Sequence, residues 1–395
     1  MIRRLVFLIV FLVVIGLIIM SPYIAWIMGP SKDLRITVVT KTVPFVSYKE
    51  HGSVFWVLNH LRYPAPEGHD AWALSTDHVG YYPGLRYVMA QLKGVPEAEA
   101  RWWSTWRSVD DGELAGTNVL YLADTYGAYE LDLKHIDTEE EHRVRNPPVY
   151  GGLTDDEMGA IERYVGRGGH IIAEFNSFAL PTETSPRQRL EKVLHVDWSH
   201  WIGRFVEDLS DPLDLPWWVY ELWKKTHGAT SWHFSGPGFI FFDTKENLVV
   251  LQVGKDIGDE LCKIYNVDNN DPVLRGVSDA VPYNYWFDIV RPGKGTTVHS
   301  EFVIDVRPAG QKKLDEWGIP SRFPAITSWK GDYQAWYFAG DFGDTVIEDE
   351  PYGVAWYPSY KRYFARYRQS ATNEWFFWEY YLPLMENVLG GMERN

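Results

Sequence analysis

The chain has 395 residues, 46% of them hydrophobic and 16% aromatic, with a formal net charge of −15 and a single cysteine. The acidic balance excludes a nucleic-acid-binding surface, which needs clustered Lys and Arg, and disfavours tight contact with anionic lipid headgroups. With Cys262 alone, an intramolecular disulfide and a Cys-rich zinc site are both excluded.

The first element is an almost unbroken apolar run from Leu5 to Met28, preceded only by the charges of Arg3 and Arg4. At about 1.5 Å per residue it is long enough to cross a hydrocarbon core of roughly 30 Å. Residues 1–29 are expected to form a transmembrane anchor, with the lipid bilayer as partner through residues 5–28. The basic pair keeps the short end in the cytoplasm, although Lys32 and Arg35 weaken the asymmetry. The expected location is the cell membrane, single-pass, with an extracytoplasmic body. A cleaved signal peptide is the competing reading, but the run exceeds an h-region and no small-x-small site follows it.

Residues 34–43 (LRITVVTKTV) are β-branched and bounded by Pro44, a first buried strand, and residues 51–63 carry apolar residues at helical spacing. Residues 64–116 are rich in Pro, Gly, His and Trp and read as an elaborated loop with one helix at 85–93. A second apolar strand follows at 118–123, and the charge run 137–145 reads as a solvated surface. In residues 153–175 (LTDDEMGAIERYVGRGGHIIAEF), Thr154 and Glu157 form a capping box. Met158, Ile161, Tyr164 and Val165 make the apolar face, and Gly168-Gly169 stop the helix before a buried strand. Helices are expected at 186–195 and 217–225. From 232 to 306 the pattern is strand-rich (FIFF, LVVLQV, EFVIDV), with Gly293-Lys294-Gly295 as a hairpin turn. A strand at 334–339 and helices at 357–367 and 373–389 close the chain. This divides it into an anchor (1–29), an α/β core (30–230), a β-rich insertion or subdomain (231–330), and a closing strand with C-terminal helices of the core (331–395). Strands alternating with helices imply a mainly parallel sheet covered on both faces.

The helix, double glycine and apolar strand of 153–175, with the late strand Tyr337-Phe338-Ala339-Gly340, resemble the class I glutamine amidotransferase-like superfamily. The resemblance implies a flavodoxin-like α/β fold. In true amidotransferases the strand matching His170–Phe175 runs into a Gly-x-Cys-x-Gly elbow, whereas here it leads into Asn176-Ser177-Phe178-Ala179. Without a thiolate there the thioester chemistry of glutamine hydrolysis has no nucleophile. The chain is most similar to divergent members that lack the cysteine and are membrane-anchored or carbohydrate-associated.

In open α/β sheets ligands bind beyond the carboxyl ends of the strands. That rule selects Lys41, Asp124, Glu174 with Asn176, and Asp341 with Asp344. Gathered carboxylates divide acid and base roles, or hold a hard cation. The expected catalytic set is Glu174 as proton donor, Asp341 as base or nucleophile, and Asp124, acting on glycans. The expected ligand-binding set is Lys41, Tyr126, Asn176, Trp201, Arg204 and Asp344. Equally open is a purely structural role, with Asp124 forming an Asx turn before Thr125-Tyr126-Gly127 and Asp341 another turn after Gly340. Trp201 and Arg204 lie in WSHWIGRFVEDL, either a Trp- and Arg-lined sugar cleft or one buried helix face formed by Trp201 and Phe205. No His-Glu-x-x-His or Gly-rich phosphate loop is present, so no metal or nucleotide cofactor is assigned. The partners expected besides lipid are a glycan or a membrane protein, the latter if the chain is a non-enzymatic scaffold.

Overall fold

The computed structural model describes residues 2–42, 48–83, 105–129, 148–228, 231–258, 262–344, 350–368 and 373–393. The helix read at 85–93 and the charged segment 137–145 lie outside the described residues.

The chain begins with the apolar helix α1 (Ile2–Ile27), then β1 (Ile36–Thr40), α2 (Lys49–His60), β2 (His78–Tyr82), β3 (Thr105–Trp106) and β4 (Val119–Asp124). The short paired strands β5 (Ala128–Tyr129) and β6 (Pro148–Tyr150) precede α3 (Asp155–Gly166), β7 (His170–Glu174), α4 (Thr184–Leu194), β8 (Val196–Val206) and α5 (Trp217–His227). Then come β9 (Gly238–Asp243), β10 (Leu248–Gln252), β11 (Lys263–Asn266), β12 (Ala280–Pro282), β13 (Trp286–Pro292), β14 (Thr297–Val303) and α6 (Pro308–Trp317). The last elements are β15 (Arg322–Lys330), β16 (Gln334–Phe338), α7 (Tyr357–Arg368), α8 (Asn373–Phe376), a π-helical turn (Phe377–Tyr381) and α9 (Leu382–Met392).

Among the described residues, one ten-stranded sheet has the order β12-β11-β14-β15-β16-β7-β4-β1-β2-β3. Its centre, β16-β7-β4-β1-β2, is parallel, and antiparallel strands extend it on either side. Every residue of β4 (VLYLAD) and β16 (QAWYF) is buried, as expected of strands covered on both faces. α2 packs with α9 and α3 with α4, giving the helical layers of an α/β flavodoxin-like fold. A second sheet, β10-β9-β8-β13, is antiparallel and joins the first where Phe287 bridges Gly340. The 231–330 stretch is thus shared between the two sheets.

The capping box is formed: the Glu157 amide donates to Thr154 Oγ1 at 3.2 Å and the Thr154 amide to Glu157 Oε2 at 2.9 Å. β1 and β2 approach so closely at Gly80 that a Cβ there would stand 1.9 Å from the Thr40 carbonyl oxygen. Only glycine fits.

Three expectations are corrected. Residues 196–206 form a strand and not a helix, because their backbone pairs with β9 on one side and β13 on the other. The spacing of Trp201 and Phe205 fits both periods. Gly293-Lys294-Gly295 is not a hairpin turn: β13 pairs with β8 whereas β14 pairs with β11 and β15, so the turn carries the chain between sheets. The stretch read as loop contains the buried strand β2, whose glycine and histidine mask its strand character.

Candidate functional site

The site grows from the parallel topology. Since β1, β4, β7 and β16 run the same way, their carboxyl ends deliver Asp124, Glu174 and Asp341 to one edge, and Asp344 follows three residues later. α2 starts at that edge after β1 and adds Lys49 and Glu50, two residues the motif reading missed. The signal available was their position opening an apolar helix directly after a strand.

Asp341 lies at the centre. Burial comes first, then the neighbouring charges of Asp344, Glu50, Asp124 and Glu174, in raising its carboxyl well above the usual range. Burial, together with Asp344, likewise pushes Asp124 up to about 7, against the donors Tyr126 and Thr42. Asp344 is raised by burial and held back by Lys49, whose Nζ is 3.1 Å from Asp344 Oδ2 and 3.9 Å from Glu50 Oε1. The other oxygen, Asp344 Oδ1, is buried without a hydrogen-bond partner.

Glu174 is fully enclosed, and burial pushes it up to about 8. Tyr121 and Tyr381 (3.4 Å) donate their hydroxyls to Oε1, and the Gly343 amide donates to Oε2 at 2.7 Å. It joins β4, the π-helical turn and the loop after β16. Asp124 Oδ1 accepts from the Tyr126 amide at 2.6 Å, an Asx turn, and from Thr42 Oγ1 at 2.9 Å.

Asn176 takes φ +64°, a left-handed conformation that Asn tolerates better than most residues, and its side chain hydrogen-bonds Asp124. Cys262 is buried elsewhere, beside β11, and burial raises its thiol. Tyr126 is 40% exposed at the rim, its ring 4.6 Å from that of Tyr129.

The remaining predicted residues are placed apart. Lys41 is buried and donates to Gly152 O (2.6 Å) and Glu157 (2.7 Å), below the rim. Trp201 packs edge-on against Trp317 in the core. Arg204 pairs with Asp214 at 2.6 Å and lies over the Trp286 ring. Trp286 is the link back to the cluster, because its carbonyl accepts from the Asp341 amide at 3.2 Å and its ring stacks parallel to that of Phe175. A separate open groove of about 670 Å³, lined by residues 30–34, Asn118, Arg167 and His170 among others, lies at the opposite, amino edge of the strands. Among the described residues no group of three His, Cys, Asp or Glu side chains is placed to hold a metal ion.

No family model matches the chain, and no curated protein matches it. Among solved structures, a glutamine amidotransferase from Thermotoga maritima is similar over 92% of this chain and 99% of its own, at 11% identity and a TM-score of 0.36. A ThuA-like protein from Bacteroides uniformis ATCC 8492 is similar over 88% and 97%, at 10% identity and a TM-score of 0.35. A β-galactosidase from Bacillus circulans sp. alkalophilus is similar over 58% of this chain at 12% identity and a TM-score of 0.28, and the chain spans 22% of its length.

Proposed function

We propose that this chain is a membrane-anchored, extracytoplasmic amidotransferase-like protein without glutaminase activity, which binds or processes envelope or exopolysaccharide glycans at the carboxyl edge of its sheet. The observation that carries the reading is the Asp341–Asp344 pair: two nearly enclosed carboxyls, the charge of Asp344 raising Asp341, with Asp344 Oδ1 buried and lacking a partner, close to Asp124, which meets Tyr126 and Asn176. A sugar hydroxyl both donates and accepts, so it would satisfy Asp344 Oδ1, while the Tyr126 ring offers a flat face for a pyranose. A pair sharing one proton supplies an acid and a base together. In this proposal the donor role expected of Glu174 passes to Asp341, because both Glu174 oxygens already hold internal hydrogen bonds.

Orientation supports the same reading. α2 carries the chain back from the acidic edge to His60, whose carbonyl accepts from Trp26 Nε1 of α1 at 2.8 Å. Twelve residues of helix, about 18 Å, thus separate the site from the end of the anchor. On the anchored reading of α1 this puts the carboxyl edge on the side of the body away from the bilayer, where a polysaccharide would be met. The test is retention of the detergent-solubilised full chain on envelope and exopolysaccharide preparations. Asp344→Asn and Tyr126→Ala are expected to weaken retention at least tenfold with an unchanged melting temperature; unaltered retention in both would remove the glycan site.

A second reading, a non-enzymatic accessory subunit of a membrane complex, is favoured by Glu174, which works as a clasp between three elements. It predicts no glycan retention by the parent chain.

A further inference from the structure

α7 is amphipathic in an inverted sense. Its inner side is polar and fully engaged: Lys361 bridges Glu350 (2.6 Å) and Glu374 (2.5 Å), Tyr357 donates its hydroxyl to Glu350, and the Tyr357 ring meets Trp378 edge-on. Its outer side is aromatic. Trp356, Tyr360, Tyr363 and Phe364 follow helical spacing and are each about half exposed, with Trp356 at 58% and Tyr360 at 57%. The Tyr360 and Phe364 rings lie 4.7 Å apart and Phe364 meets Tyr363 at 5.4 Å, so these three rings form one continuous patch, with the exposed Trp356 one turn before Tyr360. In water such a patch is a liability.

The segment leading into α7 explains the patch. Residues 350–355 run along the last turns of α1. The Ala355 amide donates to the Pro22 carbonyl at 3.2 Å, the Tyr352 ring packs on Trp26, and Gly353 lies against Trp26 and Tyr23. From the other side, Arg62 donates to the carbonyls of Trp26, Ile27 (2.6 Å) and Gly29. The body and the last turns of α1 are therefore hydrogen-bonded together rather than tethered. Pro22 precedes the end of α1 by five residues, which places Ala355 about 7–8 Å inward along the helix axis. A core of roughly 30 Å takes about 20 residues, so a span starting at Leu5 reaches its boundary near Ile24. Trp356 follows Ala355 at that depth.

We infer that α7 is an interfacial helix: its Trp356–Tyr360–Tyr363–Phe364 face sits in the headgroup layer of the bilayer that α1 spans, and so fixes the tilt of the body on the membrane. Tyr and Trp prefer this layer because their rings are apolar and their tips polar. The sequence of α7, YPSYKRYFARYR, contains no acidic residue although the whole chain carries −15, so the acidic surface is relieved where lipid headgroups would meet it. The inference rests on the anchored reading of α1.

The test uses the full chain in phosphatidylcholine nanodiscs, with an environment-sensitive fluorophore on Tyr360→Cys or, separately, Trp356→Cys. Leu213→Cys, 76% exposed in the loop before α5, serves as the reference, and the buried Cys262 stays unlabelled. Spin-labelled lipid is expected to quench positions 356 and 360 several-fold more than position 213. Equal quenching at all three positions in chains that co-elute with nanodiscs overturns the inference and leaves the anchor standing. Failure to co-elute overturns the anchored reading and the inference with it. A label shielded without lipid quenching marks a protein contact instead, and also overturns it.

Discussion

Two buried charge clusters lie a few strands apart in this molecule, and they are built in opposite ways. Around Lys41 the account closes: the ammonium group meets Glu157 and the Gly152 carbonyl, while the same Glu157 caps α3 through Thr154. Around Asp341 it does not close among the described residues, since five carboxyls gather there, Lys49 meets Asp344, Glu50 and Asp341, and Asp344 keeps an unpartnered oxygen. A balanced buried pair holds a fold in register. An unbalanced one stores proton affinity where a ligand can use it.

The contrast can be broken most forcefully at Lys41. Lys41→Met leaves Glu157 buried without its cation, and the expected loss is about 3–5 kcal/mol in denaturant unfolding. Adding Glu157→Leu should recover part of it; a single variant as stable as the parent would make the two clusters alike.

The next effect is a pH dependence of stability. Asp124 and Asp288, pushed up to about 7, and Glu174, pushed up to about 8, all chiefly by burial, hold protons in the folded chain that the unfolded chain has released. Their contribution is complete below the ordinary carboxylate range and is lost as pH rises to about 8. His51 and His78 act oppositely, because burial lowers both, His78 to about 4, so stability falls as pH drops below the usual histidine value. Between pH 6.5 and 8 the acids dominate, and thermal unfolding is expected at a higher temperature at 6.5 than at 8. Asp124→Asn combined with Asp288→Asn should flatten that slope, and a slope unchanged in the double variant would mean that the protons lie elsewhere.

The smallest effect sharpens the site itself. Asn176→Gly keeps the left-handed turn while removing the side chain that meets Asp124, so stability should change by only about 0.5 kcal/mol. Glycan retention should fall; if it stays level, Asn176 is part of the turn alone.

The sequence exposed the parallel core because its signals are local. The run of 153–175 carries cap, apolar face, stop and strand in order, and strands ending at Asp124 and before Gly340 announce themselves by continuous burial. Strand-end carboxylates could be gathered on paper because parallel topology fixes which ends coincide. Tyr121 and Tyr381 could not, since they meet Glu174 from 53 and 207 residues away. β8 was misread because aromatic residues four apart suit a helix face as well as one side of a strand, and only its partners β9 and β13 decide between them. Trp201 and Arg204 consequently moved from an imagined cleft to the core and to a Trp286 stack.

The place of β16 in the sheet also constrains how the protein is made. β7 is complete by residue 174, yet one of its edges is covered only by β16 at 334–338, and Glu174 receives the Tyr381 hydroxyl from fewer than twenty residues before the C-terminus. A chain synthesised from its N-terminal side must therefore carry an open central strand while the next 160 residues, 174 to 334, are added. Pairings that distant form slowly and expose strand edges while they wait. Biogenesis, rather than the finished fold, is where this architecture is most vulnerable to aggregation.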